Sequence, residues 1–255
     1  MESPTTRPDS TATVRKVTKA ASSFLNRHRD EKGVGATFGY FTRHPVARLN
    51  RKRLKILLET LDSRAQALKR NLRVLDLACG GGLITSAVAE MGHRALGLDL
   101  SPEEIHLAKL FAQEEKLNGM FLQTDLLKNP DWERTAQEIL GGKPDAVTLA
   151  YALHHLPEVE SFIERLGRWL DPGSLLVINE ENPDSPLFRL KHRIRGWIQK
   201  DTDTEWHRSF ANWKQLLESR GFQVETRPQG MDLLPALPRI NPEKCWSLVF
   251  TAQRG

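Results

Sequence analysis

The residues of this chain that can do chemistry fall into two groups. Adjacent histidines, His154 and His155, stand in "YALHHLPE", and Glu180 and Glu181 close the later run "VINEE". A neutral imidazole accepts a proton near neutral pH, so either histidine is a candidate general base, with His155 the first choice. A histidine at such a place can also simply cap the next helix or line a pocket. The second group is three acids, Asp76, Asp99 and Asp125, each following a short apolar run. Behind the first of them come Cys79 and then Gly80, Gly81 and Gly82.

Three glycines in a row let a turn take left-handed dihedrals and let a ligand reach the backbone without meeting a Cβ. A triphosphate would require the lysine and hydroxyl of G-x-x-x-x-G-K-[ST], and no lysine follows these glycines. A dinucleotide would require G-x-G-x-x-G, and "ACGGGLI" lacks its third small residue. A ligand without phosphate fits better. Asp76 would repel a pyrophosphate but attract an amino-bearing or cationic group. Asp99 is placed to accept both hydroxyls of a ribose, and Asp125 to accept an exocyclic amine. An amino group, a ribose and an adenine without phosphate describe S-adenosylmethionine.

The elements that must hold these residues can be read from the flanking patterns. From Asn71 onward strand and helix signals alternate, which predicts a parallel sheet covered on both faces. "LRVLDLA", "RALGLDL", "MFLQTDL", "AVTLAY", "SLLVINEE", "FQVETR" and "CWSLVFTAQ" read as strands. Ser101, Pro102 and Glu104 form a capping-box signature, so a helix starts just after Asp99 and runs to about Leu117, ending at Asn118-Gly119. In such sheets ligands bind beyond the carboxyl ends of the strands, where all these acids and both histidines are expected.

Motifs in this order, "VLDLACGGG", "LGLDLS", "QTDLL", "DAVTLAYALHHLP" and "LDPGSLLVINE", resemble the class I S-adenosylmethionine-dependent methyltransferases, in particular the branch acting on small molecules and lipid-like quinone precursors. The resemblance covers roughly Arg73 to the C-terminus. It implies a Rossmann-like, doubly wound sheet of seven strands, mostly parallel, with "CWSLVFTAQ" inserted antiparallel between the fifth strand and "FQVETR". It further implies that the cofactor rests on Asp76, Ala78, Cys79, Gly80 and Gly82 of the first loop. Asp99 and Leu100, then Asp125 and Leu126, follow from the second and third strand ends, and Ala150 from the fourth. Ala78 departs from the pattern, since the family commonly has a glycine there. Tyr40 is the aromatic of the lead-in that would contact the cofactor, where a ring face attracts a sulfonium. Tyr151, Trp206, His207 and Arg208 are the acceptor-side candidates. The reaction the resemblance implies is methyl transfer to a small or lipid-like acceptor, on oxygen, with a histidine base, Glu180 as the acid beside it at the end of the fifth strand, and S-adenosylhomocysteine as by-product.

Composition narrows the rest. The chain has 255 residues, 39% hydrophobic and 27% charged, with no apolar run long enough to cross a bilayer. Its two cysteines, Cys79 and Cys245, provide neither a disulfide framework nor a metal cluster, which fits a reducing, cytoplasmic compartment and no metal. Cys79 reads as small apolar filler. The net charge of +5 is unevenly placed. From Ser10 to Arg29 there is no acid, and the apolar series Val14, Val17, Ala21 and Phe24 keeps helical spacing. Residues 1–36 therefore read as a flexible basic tail and lid helix, and 37–255 as the catalytic domain. A covering insertion is expected at about 184–208, whose basic amphipathic stretch 187–200 could close over an apolar acceptor or touch an anionic membrane surface. Two other functions compete. The basic surface could guide RNA, although the Asn/Asp-Pro-Pro-aromatic motif for a flipped base is absent. Alternatively the chain could be a catalytically inactive, cofactor-binding scaffold subunit.

Overall fold

The computed structural model describes residues 8–29, 31, 33–44, 47–186, 188–190, 193, 208–225 and 247–255. The chain divides into two compact units, one up to Thr148 and one from Leu149. In order, the first contains α1 (Ser10–Arg27), α2 (Val34–Thr42), α3 (Ala47–Leu68), β1 (Arg73–Leu77), α4 (Leu83–Glu90), β2 (Arg94–Asp99), α5 (Pro102–Glu114), β3 (Met120–Gln123) and α6 (Trp132–Leu140). The boundary falls within β4 (Ala146–Ala150). The second unit contains a 3₁₀ turn (Leu153–His155), α7 (Val159–Trp169), β5 (Leu175–Glu181), α8 (Phe210–Ser219), β6 (Phe222–Glu225) and β7 (Ser247–Arg254). Among the described residues, no helix is long and apolar enough to cross a membrane.

The strands form one seven-stranded sheet in the order β3-β2-β1-β4-β5-β7-β6. β1, β2 and β3 are parallel, while β7 runs antiparallel to both β5 and β6, so the last strand inserts where the family resemblance implied. The register sets Asp76 opposite Gly97, and β2 carries Asp99 one residue pair beyond the end of β1. Val74, Leu75 and Leu77 of β1 are buried, as are Ala95, Leu96 and Leu98 of β2, the near-continuous apolar run that a two-sided sheet demands.

In the first unit α1 is part of the core. Its N-cap, Asp9, accepts from Ala12 N at 3.1 Å, and the face carrying Val17, Ala21 and Phe24 is buried against α2, α3, α4 and α5. Phe24, Phe38 and Phe111 form a cluster with ring centroids 4.7–5.5 Å apart, the tilted and edge-on geometry that aromatic quadrupoles favour. The end of α1 is tied to α5 by Arg27 on Glu114 and Glu115 and by His28, whose two ring nitrogens face Glu31 and Glu114.

Helix α5 differs from expectation at both ends. Ser101 Oγ does accept from Glu104 N at 3.1 Å, but the return arm of the capping box is missing. Ser101 N donates instead to Asp99 Oδ1 at 2.9 Å, so the strand-end acid replaces the glutamate. The helix ends at Glu114 rather than near Leu117, because Lys116 adopts φ 52° and Leu117 N returns to Ala112 O at 2.8 Å.

Candidate functional site

The glycine loop of the first unit is shaped by its backbone. Ala78 leaves β1 with φ 54°, and Gly80 and Gly82 follow at φ 50° and 73°. At Gly82 a Cβ would lie 2.4 Å from the Phe121 ring and 2.8 Å from Ala108 Cβ, so only glycine fits. At Gly80 the nearest obstacle is Glu104 Oε2 at 3.6 Å, and the glycine is needed for its dihedral alone. The alanine that replaces the family's usual glycine thus occupies a left-handed conformation itself.

Two carboxylates hold this loop. Asp99 Oδ2 accepts from Gly80 N at 2.8 Å, and with its other oxygen on Ser101 N it joins the glycine loop to the start of α5. Asp76 is 2% exposed, and each of its oxygens accepts a hydroxyl: Thr148 Oγ1 on Oδ1 and Thr85 Oγ1 on Oδ2, both at 2.6 Å. Burial pushes the Asp76 carboxyl up to about 6, against the opposing pull of the two hydroxyls, and the negative charge of Asp99 adds to the rise. The same burial, with both acids nearby, holds the Cys79 thiol well above its usual range, so Cys79 is an unreactive filler of the loop.

Thr85, Thr148 and Gly97 belong to this arrangement and were not among the expected site residues. A Cβ on Gly97 would stand 2.6 Å from Thr85 Oγ1 and 2.7 Å from Cys79 Sγ, so the bare position lets the loop lie on β2. A glycine inside the strand "RALGLD" and a hydroxyl inside the apolar "AVTLA" were the available signals.

Asp125 lies beyond β3. Its Oδ1 accepts from Leu127 N and Lys128 N at 2.9 and 3.0 Å, and these backbone donors, Lys128 N foremost, hold its carboxyl below the usual range. Leu126 is buried, whereas Leu127 and Leu100 are exposed apolar residues close to Asp125 and Asp99 in sequence. Tyr40, on α2, is half exposed, with its ring 4.8 Å from that of His44.

In the second unit, Ala150 ends β4 and Tyr151 turns the chain with φ 57°, its N–H donating to Asn179 O at 2.8 Å. The following turn folds around Glu180. Glu180 Oε1 accepts from Ala152 N at 3.0 Å and Leu153 N at 2.7 Å, and Oε2 lies 2.6 Å from His154 Nδ1. Glu180 and His154 are both buried, 1% and 6% exposed. With Oε1 filled by two N–H donors, Oε2 is the acceptor for a proton on His154 Nδ1. His155, the first choice on sequence, is exposed, with its ring centroid 4.0 Å from that of His154 and the two planes tilted by 46°, while the contact of Glu180 is to His154.

Of the acceptor-side candidates, Trp206 and His207 lie outside the described residues, as does most of 187–200. Phe188 is buried and Leu190 is exposed. Arg208 pairs with Glu160 and lies over the Trp213 ring, 5.6 Å from its centroid, immediately before the Ser209 cap of α8.

A sheet of this order, with a left-handed glycine loop after β1 and acids ending β2 and β5, has the class I methyltransferase architecture. The residues present fit S-adenosylmethionine: Gly80 is partly exposed with no Cβ over the loop, and the Asp99 oxygens beside it keep lone pairs to spare, while Gly82 is buried and serves the packing of the loop. A family model described as a methyltransferase domain matches residues 46–227, more than half of the chain, and the chain belongs to that family. The chain is 31% identical over 146 residues to a ubiquinone biosynthesis O-methyltransferase of Xanthomonas oryzae, covering 57% of this chain and 56% of that protein. It is 24% identical to the enzyme of the same name from Azorhizobium caulinodans, over 74% of this chain and 72% of the other. The chain thus spans little more than half the length of the first curated relatives it matches. Among solved structures it is similar to magnesium protoporphyrin IX methyltransferase from Synechocystis, which has S-adenosylhomocysteine bound, with a TM-score of 0.57 and 20% identity over 92% of this chain and all of the other. The PH0226 protein of Pyrococcus horikoshii gives a TM-score of 0.58 at 18% identity, over 88% of this chain and all of the other.

Proposed function

We propose that this chain is an S-adenosylmethionine-dependent O-methyltransferase acting on a hydroxyl of a small, lipid-like acceptor, with His154 as the general base. The observation that carries this reading is the His154–Glu180 pair. S-adenosylmethionine, when bound, supplies an activated methyl group. What the protein must add is alignment, exclusion of water and, for a hydroxyl, a place for the proton. Glu180 holds the His154 ring by its Nδ1 and the turn around it by two backbone N–H groups, which supports a ring kept in one tautomer and orientation, and in this reading Nε2 is the atom that takes the acceptor's proton. As His154 becomes an imidazolium, the adjacent carboxylate of Glu180 offsets the charge. The relatives named ubiquinone biosynthesis O-methyltransferases support oxygen as the methylated atom and a lipid-like acceptor.

An alkyl-substituted catechol serves as the test acceptor. His154→Ala should lower kcat by about 10²–10⁴-fold while calorimetric affinity for S-adenosylmethionine stays within twofold. His155→Ala should leave kcat within a few-fold. Equal losses in the two variants, or unchanged turnover in His154→Ala, would overturn the assignment. Salt-dependent retention of RNA together with no turnover of apolar hydroxyl acceptors would replace this reading by the nucleic-acid one.

A further inference from the structure

The loop that would carry the cofactor lies between two carboxylates whose partners are all neutral. Asp99 is held by two backbone N–H groups and Asp76 by two hydroxyls. Among the described residues neither acid has an ion-pair partner, although the chain as a whole is basic. Cys79, between them in the loop, is the other titratable group facing Asp76, and it is held as the uncharged thiol. Among the described residues, the buried side of the loop therefore carries negative charge with no cation in ion-pair contact with it.

Asp76 is also poorly placed to hold a ligand by touch. It is 2% exposed, with each oxygen occupied by a threonine hydroxyl. Two short hydroxyl bonds stabilise an ionised carboxylate in a site where burial opposes it. Hydroxyls from α4 and β4 spent on an acid with no cation make sense if a cation arrives with the ligand.

S-adenosylmethionine and its product, S-adenosylhomocysteine, share the same ammonium, carboxylate, ribose and adenine. They differ at sulfur, a sulfonium in one and a neutral thioether in the other. We infer that Asp76 selects the charged cofactor over its product from beneath the glycine loop, through the field of its buried carboxylate rather than by contact. The consequence falls on the product: methyl transfer removes the charge that Asp76 favours, and the spent cofactor loses that contribution to its binding. This rests on the S-adenosylmethionine site and not on the identity of the acceptor.

The experiment compares calorimetric affinities for the two ligands, since their ratio cancels every group they share. In Asp76→Asn the affinity for S-adenosylmethionine should fall about tenfold, with that for S-adenosylhomocysteine changed less than twofold. In the wild type, S-adenosylmethionine affinity should rise from pH 5 to pH 7 as Asp76 ionises, with proton release seen as a buffer-dependent heat, and S-adenosylhomocysteine should follow a flatter course. Thr85→Val, which removes one hydroxyl from Asp76, should lower the ratio at pH 7 and recover it at pH 8.5. That recovery would not occur if Asp76 served only to hold the fold. Equal weakening of both ligands in Asp76→Asn, or identical pH courses in the wild type, would overturn the inference. Failure of the wild type to bind either ligand would remove the cofactor site itself.

Discussion

At the scale of single residues, Asp76 shows how far burial can work against stability. Its carboxyl ionises at about 6 in the folded protein and near 3.9 in an unfolded chain. Between those values the folded state binds more protons, so this group makes stability fall as pH rises from about 4 to about 6, and the loss persists above. Asp76→Asn should therefore match the wild type in ligand-free stability near pH 4 and exceed it by about 1–3 kcal/mol at pH 8. Chemical denaturation at the two pH values checks this, and a variant less stable than wild type at both would show that the threonine hydroxyls matter more than the charge. The acid was legible in the sequence; its two partners were not, because Thr85 and Thr148 are brought to it by helix and strand packing that no local spacing records. The histidine pair makes the same point. "HH" was legible as a pair of candidate bases, but the contact of Glu180 with the His154 ring is seen only in the folded turn.

At the scale of elements, the loops gathered at strand ends are held by acids that accept backbone N–H groups: Asp99 for Gly80 and Ser101, Asp125 for Leu127 and Lys128, Glu180 for Ala152 and Leu153. The strands were legible because apolar runs and capping residues are local signals, whereas the place of the last strand came from the family resemblance alone. The capping of α5 by Asp99 was not, since it needs the acid that ends the preceding strand to turn back on the helix. Close packing sets the tolerance of the glycine loop. Gly82→Ala combines a left-handed dihedral with a Cβ in the Phe121 ring and should cost about 2–4 kcal/mol, whereas Gly80→Ala meets only the dihedral and should cost about 1–2 kcal/mol. Equal midpoints for the two variants in urea would refute this ranking.

At the scale of the whole molecule, α1 is a structural member of the first unit, and its basic composition conceals an apolar face as buried as any strand. Phe24→Ala, which empties the centre of the cluster with Phe38 and Phe111, should cost about 3–5 kcal/mol. That is a large part of the total for a domain of this kind, so the variant should melt well below the wild type in a thermal scan. A drop of under 1 kcal/mol would mean that α1 covers the unit without supporting it. Stability of this order also gives meaning to Tyr151, which leaves β4 with φ 57° where glycine would be relaxed. A left-handed tyrosine costs about 1–2 kcal/mol against the same marginal total. A library randomised at position 151 and sorted for thermal survival should converge on glycine and asparagine, and the same library sorted for methyl transfer should return aromatic residues. The gap between those two winners measures, in units of selection, what the ring contributes to the reaction.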